Sequence, residues 1–234
     1  MFNSKYSNFL TILLIVVIVA IIGLLAYLGY DFYRKYYIDK EANAFLEQYE
    51  EKVSNTENKK DDKEENNENL EEEPIENPYG EEITVENTTT NNSSGTTTTQ
   101  KYTYKGFTVL GRIQIPKTGI DYPILEKVTK KSLETSVAIM YGPGPNEIGN
   151  TTIAGHNYRN GLFFSNNKKL SNGDVIYITD NSGQKITYEI YSIYETDPND
   201  TDFMTRDVGN TREISLQTCT DDSKARLVIF AKEK

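Results

Sequence analysis

The chain holds one cysteine, Cys219, and one histidine, His156, among 234 residues. A single thiol closes no internal disulfide, so Cys219 is either a small buried hydrophobe, the common fate of free cysteine, or a reactive group. Attack by cysteine on an acyl carbonyl needs the thiolate, which forms more readily beside histidine or arginine. It also needs an acid to protonate the departing amine. In "TTIAGHNYRNG" an apolar strand, Thr151 to Ala154, ends at Gly155, and His156 opens the loop. Strand ends are where a rigid scaffold delivers side chains to a site, although a lone histidine there also fits a surface role. Arg226 follows Cys219 by seven positions. If Asp221-Asp222-Ser223-Lys224 turn the chain back, Arg226 comes alongside Cys219 across an antiparallel hairpin. It is then either a rim arginine paired with Asp221 or Asp222, or a fixed cation that holds substrate and developing negative charge. One histidine and one cysteine are too few ligands for structural zinc.

Strands must carry these groups. With a period of two, Ile214, Leu216 and Thr218 share one face of "REISLQTC" (212–219), and Ser215, Gln217 and Cys219 share the other. The apolar set is the core face, which leaves Cys219 with the polar residues at a strand end beside a turn. "FTVLGRIQI" (107–115), "NTTIAG" (150–155), "DVIYIT" (174–179), "KITYEIYSIYET" (185–196) and "ARLVIFAKE" (225–233) are also rich in β-branched and aromatic residues. Gly142-Pro143-Gly144-Pro145, Asn172-Gly173, Asn181-Ser182-Gly183 and Asp221-Asp222 supply turn chemistry between them. Short helices are expected only near Lys130–Thr135 and Leu162–Leu170. This spacing of short strands predicts an all-β domain, a closed or partly closed barrel, over residues 101–234.

The N-terminal region reads differently. No charged residue occurs from Tyr6 to Tyr30, and Phe9 to Leu28 is almost wholly Leu, Ile, Val and small residues. At about 1.5 Å per residue such a helix reaches roughly 37 Å, enough to cross a hydrocarbon core of about 30 Å. Residues 1–30 therefore read as a short tail and single-pass anchor, and charge bias leaves the orientation open, with Lys5 on one side and Arg34, Lys35 and Lys40 on the other. The apolar run is too long for a cleaved secretory signal, and no small-residue cleavage site follows it. Residues 31–53 could continue the helix, with Tyr33, Tyr37, Phe45 and Tyr49 at near-helical spacing. Residues 54–100 are Glu, Asn, Thr and Ser, too polar to offset ordering entropy, and read as a disordered acidic linker. The net charge of −10 comes from the stretch 41–100, which has seventeen acidic and four basic side chains. Residues 101–234 are nearly neutral and carry no basic stripe, which excludes a nucleic-acid partner on electrostatic grounds. "DPNDTD" (197–202) offers Asp197, Asn199, Asp200 and Asp202 as oxygen ligands for calcium, or forms a solvated turn, since the EF-hand spacing and its late glutamate are missing.

"TTIAGHNYRNGLFF", followed by "ISLQTC" and an arginine on the next strand, resembles the sortases, cysteine transpeptidases of Gram-positive cell surfaces. The family motif T-L-x-T-C reads here Ser215-Leu216-Gln217-Thr218-Cys219, with serine keeping the first hydroxyl. "RIQIPKTGIDYPIL" (112–125) also resembles the family's opening strands. The resemblance implies an eight-stranded β-barrel outside the cell membrane, with residues 1–30 as its cytoplasmic tail and transmembrane anchor. It implies cleavage of an LPXTG-like sorting signal on surface proteins through an acyl-thioester. The acyl group then passes to peptidoglycan precursor or another amine acceptor, with no cofactor. Carried over, Cys219 is the nucleophile, His156 the general acid and base, and Arg226 the residue that binds the signal and supports the oxyanion. Thr218 shapes the substrate site, and the loop from Glu195 to Arg212 selects the signal. That loop holds no obvious long helix and no pilin-type lid or C-terminal membrane segment is evident, which is closer to classes A, D and E than to B or C.

The contrasting reading is a catalytically silent β-barrel adhesion or binding module on a stalk. A simple cysteine hydrolase is a third. The S-H-G-C type motif of L,D-transpeptidases is missing.

Overall fold

The computed structural model describes residues 4–61, 86–89 and 98–234. In chain order the elements are α1 (Ser4–Asp61), β1 (Glu86–Thr89), β2 (Thr98–Tyr104), β3 (Phe107–Ile115), β4 (Ile120–Leu125), α2 (Lys130–Thr135), β5 (Val137–Tyr141) and β6 (Gly149–Ala154). After them come β7 (Val175–Asp180), β8 (Lys185–Thr196), β9 (Arg212–Cys219) and β10 (Arg226–Glu233). The chain divides into two units, Met1–Lys40 and Glu41–Lys234.

In the first unit every large apolar side chain from Phe9 to Leu28 is exposed. A helix apolar on all sides is one suited to lipid, and this one is long and apolar enough to cross a membrane.

The second unit is built on a closed barrel. Its eight strands run in the order β3-β4-β5-β6-β9-β10-β8-β7, and β7 pairs back onto β3 to close the ring. Closure leaves no open edge among these strands, which is how all-β folds avoid edge-to-edge association. Two neighbours are parallel, β4–β5 and β6–β9, and the rest are antiparallel. Ile113, Ile115, Ile153, Ile178, Leu216 and Ile229 are fully buried and make up much of the interior.

Three strands match the sequence reading residue for residue: β3, β8 and β9. Two others, β4 and β5, are buried on both faces through most of their length, so they show no polar–apolar alternation. Helix α2 forms as expected, its capping box made by Thr129 and Ser132. The helix expected over Leu162–Leu170 is only a single 3-10 turn at Asn167–Lys169. Leu162, Phe163 and Phe164 are buried in succession, and Phe163 has a positive φ of 50°, neither of which a one-sided helix permits.

The expected domain boundaries also shift. Helix α1 runs unbroken past residue 53 to Asp61, and β1 and β2 begin inside the stretch read as linker. The remainder of 54–100 lies outside the described residues. Residues 41–53 belong to the barrel unit rather than to a separate juxtamembrane helix. Ala42, Phe45, Leu46, Tyr49 and Val53 fall on one helical face and are buried. Phe45, Leu46, Tyr49 and Val53 cluster with Tyr102, Tyr104, Val109 and Leu125 of the sheet. Tyr49 meets Tyr102 edge-on with ring centres 5.0 Å apart. Glu50 pairs with Arg112 at 2.9 Å, and Glu41 pairs with Lys105.

Candidate functional site

The register of β6 against β9 decides what the two strand ends bring together. Gly149 pairs with Arg212 and Ala154 with Gln217, a constant offset of 63 residues. That same offset carries His156 to the level of Cys219. Beyond Ala154 one more main-chain bond forms, from Gly155 N–H to the Gln217 carbonyl at 3.1 Å. Gly155 is required there by space. A Cβ would lie 2.7 Å from Cδ2 of Phe164 and 3.0 Å from Val137. The loop then folds back so that Phe164 N–H donates to the His156 carbonyl at 3.1 Å. His156 is half-buried, its ring 4.9 Å from that of Tyr158.

On the other side of β9, Cys219 is the direct partner of Arg226 on β10. Arg226 is opposite Thr196 on β8. Cross-strand partners share a face, so thiol and guanidinium open onto the same surface. Cys219 is a free, half-buried thiol. Arg226 donates to the Ala225 carbonyl at 3.2 Å, and among the described residues no carboxylate lies within ion-pairing distance of it. The rim pairing with Asp221 or Asp222 is therefore not formed. Asp221 is held by Lys168 at 2.6 Å and by Asn157 at 3.0 Å. Asp222 accepts from Thr220 Oγ1 at 2.8 Å. Both carboxyls lie below the ordinary carboxylate range, Asp221 chiefly through Lys168 and Asp222 chiefly through Thr220. Among the described residues the guanidinium is thus left without a carboxylate partner.

Thr218 was expected to line the substrate site. Strand alternation puts it on the face opposite Cys219, where it is buried and its hydroxyl has no hydrogen-bond partner among the described residues. Its side chain faces the barrel interior.

The β8–β9 connection folds down over the sheet's outer face and contains no helix. Phe203 is buried against Val228 and Phe230. The guanidinium of Arg206 stacks 3.6 Å over the Phe230 ring. It also donates to Glu213 at 3.0 Å, Asn150 at 3.2 Å and Tyr191 at 2.9 Å. One charged side chain thereby ties the loop to β6, β8, β9 and β10. A cavity of about 460 Å³ lies between Tyr141–Pro143 and Met204–Arg206, with Asn150 on its floor. Asn150 pairs with Glu213, six residues before Cys219. At about 3.3 Å per residue the cavity is roughly 20 Å along the strand from the thiol, on the same face.

Asp197 and Asp200 accept hydrogen bonds within their own loop, from the main chain of Asn199 and Asp202 at 2.8 and 2.9 Å. Among the described residues no three His, Cys, Asp or Glu side chains gather as a metal site.

Asn157, Lys168 and Arg206 were not singled out from sequence. Each has a partner more than fifty positions away, and no local pattern announces such contacts.

A sequence model described as the Sortase domain matches residues 113–234. Sortase A of Bacillus anthracis is 33% identical over 124 residues, which cover 52% of this chain and 58% of that protein. The match thus spans well under two thirds of the relative. Among solved structures, a Clostridium perfringens Sortase D5 transpeptidase is 34% identical, with TM-score 0.50, covering 54% of this chain and 79% of that one. Sortase A from Corynebacterium diphtheriae is 28% identical, with TM-score 0.50, covering 55% and 61%. Sortase C-1 from Actinomyces oris is 26% identical at the same TM-score, covering 54% and 72%. These relatives carry A, C and D designations alike. With the domain match covering more than half its length, the chain belongs to the sortase family.

Proposed function

We propose that this protein is a membrane-anchored cysteine transpeptidase acting on surface proteins that carry an LPXTG-like sorting signal. Membership of the sortase family supports the reaction class. The single observation that supports the residue roles is that the β6–β9 register, continued two residues past Ala154, brings His156 to the level of Cys219, which itself pairs with Arg226 on β10. Cys219 Sγ, as thiolate, attacks the carbonyl carbon of the scissile amide. The developing oxyanion is met by the Arg226 guanidinium. As the C–N bond breaks, His156 gives its proton to the leaving amine, and the acyl group stays on sulfur as a thioester. An acceptor amine then attacks that carbonyl, passes a proton to His156 and expels the thiolate. The outer face beside Cys219 and Arg226, where the β8–β9 connection begins opposite Arg226, takes the upstream part of the signal. The apolar helix holds the barrel at the outer side of the membrane, and a peptidoglycan precursor is the amine donor.

The test uses full-length protein in detergent with a library of five-residue signals and several amines. Product formation that rises with added amine, and is lost in Cys219→Ala and in His156→Ala, supports the reading. Full turnover by either variant overturns the mechanism. Release to water at a rate indifferent to amine marks a hydrolase, and a folded protein inert to every signal marks a binding module.

A further inference from the structure

The main-chain ladder between β6 and β9 stops one rung short of the nucleophile. Its last bond reaches the Gln217 carbonyl, and on a strand the next carbonyl facing the same neighbour is that of Cys219. By then the backbone of the His156 loop has left the sheet, and Asn157 forms an isolated bridge with Phe163. A side chain supplies the missing rung. Asn157 Nδ2 donates to the Cys219 carbonyl at 3.0 Å and to Asp221 Oδ1 at 3.0 Å. Its Oδ1 accepts from Arg159 N–H, also at 3.0 Å. Lys168 holds the far oxygen of Asp221 at 2.6 Å. One amide thus joins the loop carrying His156 to the strand end carrying Cys219 and to the turn that follows.

We propose that Asn157 is a positioning residue for the nucleophile, a role that rests on the acyl-transfer reading above. By fixing the Cys219 carbonyl it fixes the direction of the Cα–Cβ bond and so the approach of Sγ to the scissile carbonyl. It touches neither substrate nor sulfur. Its loss therefore slows the acylation step and leaves signal binding alone, because the face that takes the signal is built from other residues.

Two single variants and one double variant test this in the full-length protein. N157A removes every contact. N157D is isosteric and keeps the acceptor for Arg159 N–H, so the turn survives, but it turns a carboxylate oxygen toward two acceptors. Both are expected to slow single-turnover acylation about tenfold, with peptide KM within about twofold, and to lower Tm by a few degrees, N157D more than N157A because its carboxylate faces Asp221. In N157D/D221N a new amide at position 221 can donate to the carboxylate at 157, which restores that link and leaves the Cys219 carbonyl without a donor. Acylation stays slow in the double variant if the Cys219 bond is what matters. Wild-type acylation by N157D, recovery in the double variant, or a rise in KM with kcat unchanged overturns the proposal. A wild-type protein that forms no acyl-enzyme overturns the acyl-transfer reading itself, a distinguishable failure.

Discussion

Arg226 stands directly across from Cys219 on the neighbouring strand, and both nearby aspartates are engaged elsewhere. A guanidinium so placed gives a substrate oxyanion a planar, permanently charged donor. Removing an oxyanion donor typically costs about a hundredfold to a thousandfold in rate. Arg226→Ala is expected to lower kcat/KM for a signal peptide by that order. Arg226→Lys recovers only part, since the charge returns without the fork. Alanine activity within about twofold of wild type would contradict the role.

Gly155 fits only because it has no side chain, with ring carbons of Phe164 2.7 and 2.9 Å from where a Cβ would lie. Overpacking of this kind costs about 1–3 kcal/mol, a Tm loss of several degrees. Gly155→Ala is expected to lower Tm and slow acylation together, because the displaced loop carries His156. G155A/F164L relieves part of both. Unchanged melting and rate in G155A would contradict the close packing.

The C-terminal part of α1 is a structural element of the barrel unit. Leu46 is 1% exposed within the cluster that α1 makes with Tyr102, Tyr104 and Val109. Leu46→Ala is expected to cost about 2–5 kcal/mol, lowering Tm by roughly 5–15 °C. Calorimetry of the full-length protein that finds no shift would contradict the docking. A fragment beginning at residue 101 loses the helix and exposes that apolar surface, so it is expected to melt lower than one beginning at 41.

Asp221 supplies a pH test. Its carboxyl is depressed in the folded protein by Lys168 first and Asn157 second. The contribution to stability is then present above the unfolded carboxylate value, about 3.9, and is lost as pH falls through the folded value. Carbon-detected NMR of the side-chain carboxyl is expected to show a midpoint below the ordinary range, moving upward in Lys168→Met. A midpoint that does not respond to K168M would contradict the pairing.

Much of the barrel was legible because its strands alternate and its turns use glycine, proline and asparagine. The strands β3, β8 and β9 have this signature. Strands β4 and β5 were harder because burial on both faces erases the period, and Pro123 further obscures β4. The apolar face at Phe45 and Tyr49 was visible, but its partners Tyr102 and Tyr104 sit beside a Thr-rich stretch that reads as linker. In the site, the lone His156 and lone Cys219 announced themselves by composition. Their alignment did not, because it depends on β6 lying beside β9 while β7 and β8 intervene in sequence. The contacts of Asn157 with Cys219 and of Arg206 with Asn150 depend on that topology.

The central claim is that Cys219 carries the acyl group. Full-length protein mixed with a sorting-signal peptide, without amine, and examined by intact mass should gain the mass of the peptide's acyl fragment. Proteolytic mapping should place that gain on Cys219, hydroxylamine should discharge it, and Cys219→Ala should never acquire it. A folded wild-type protein that turns the peptide over with no adduct on Cys219 would contradict the account.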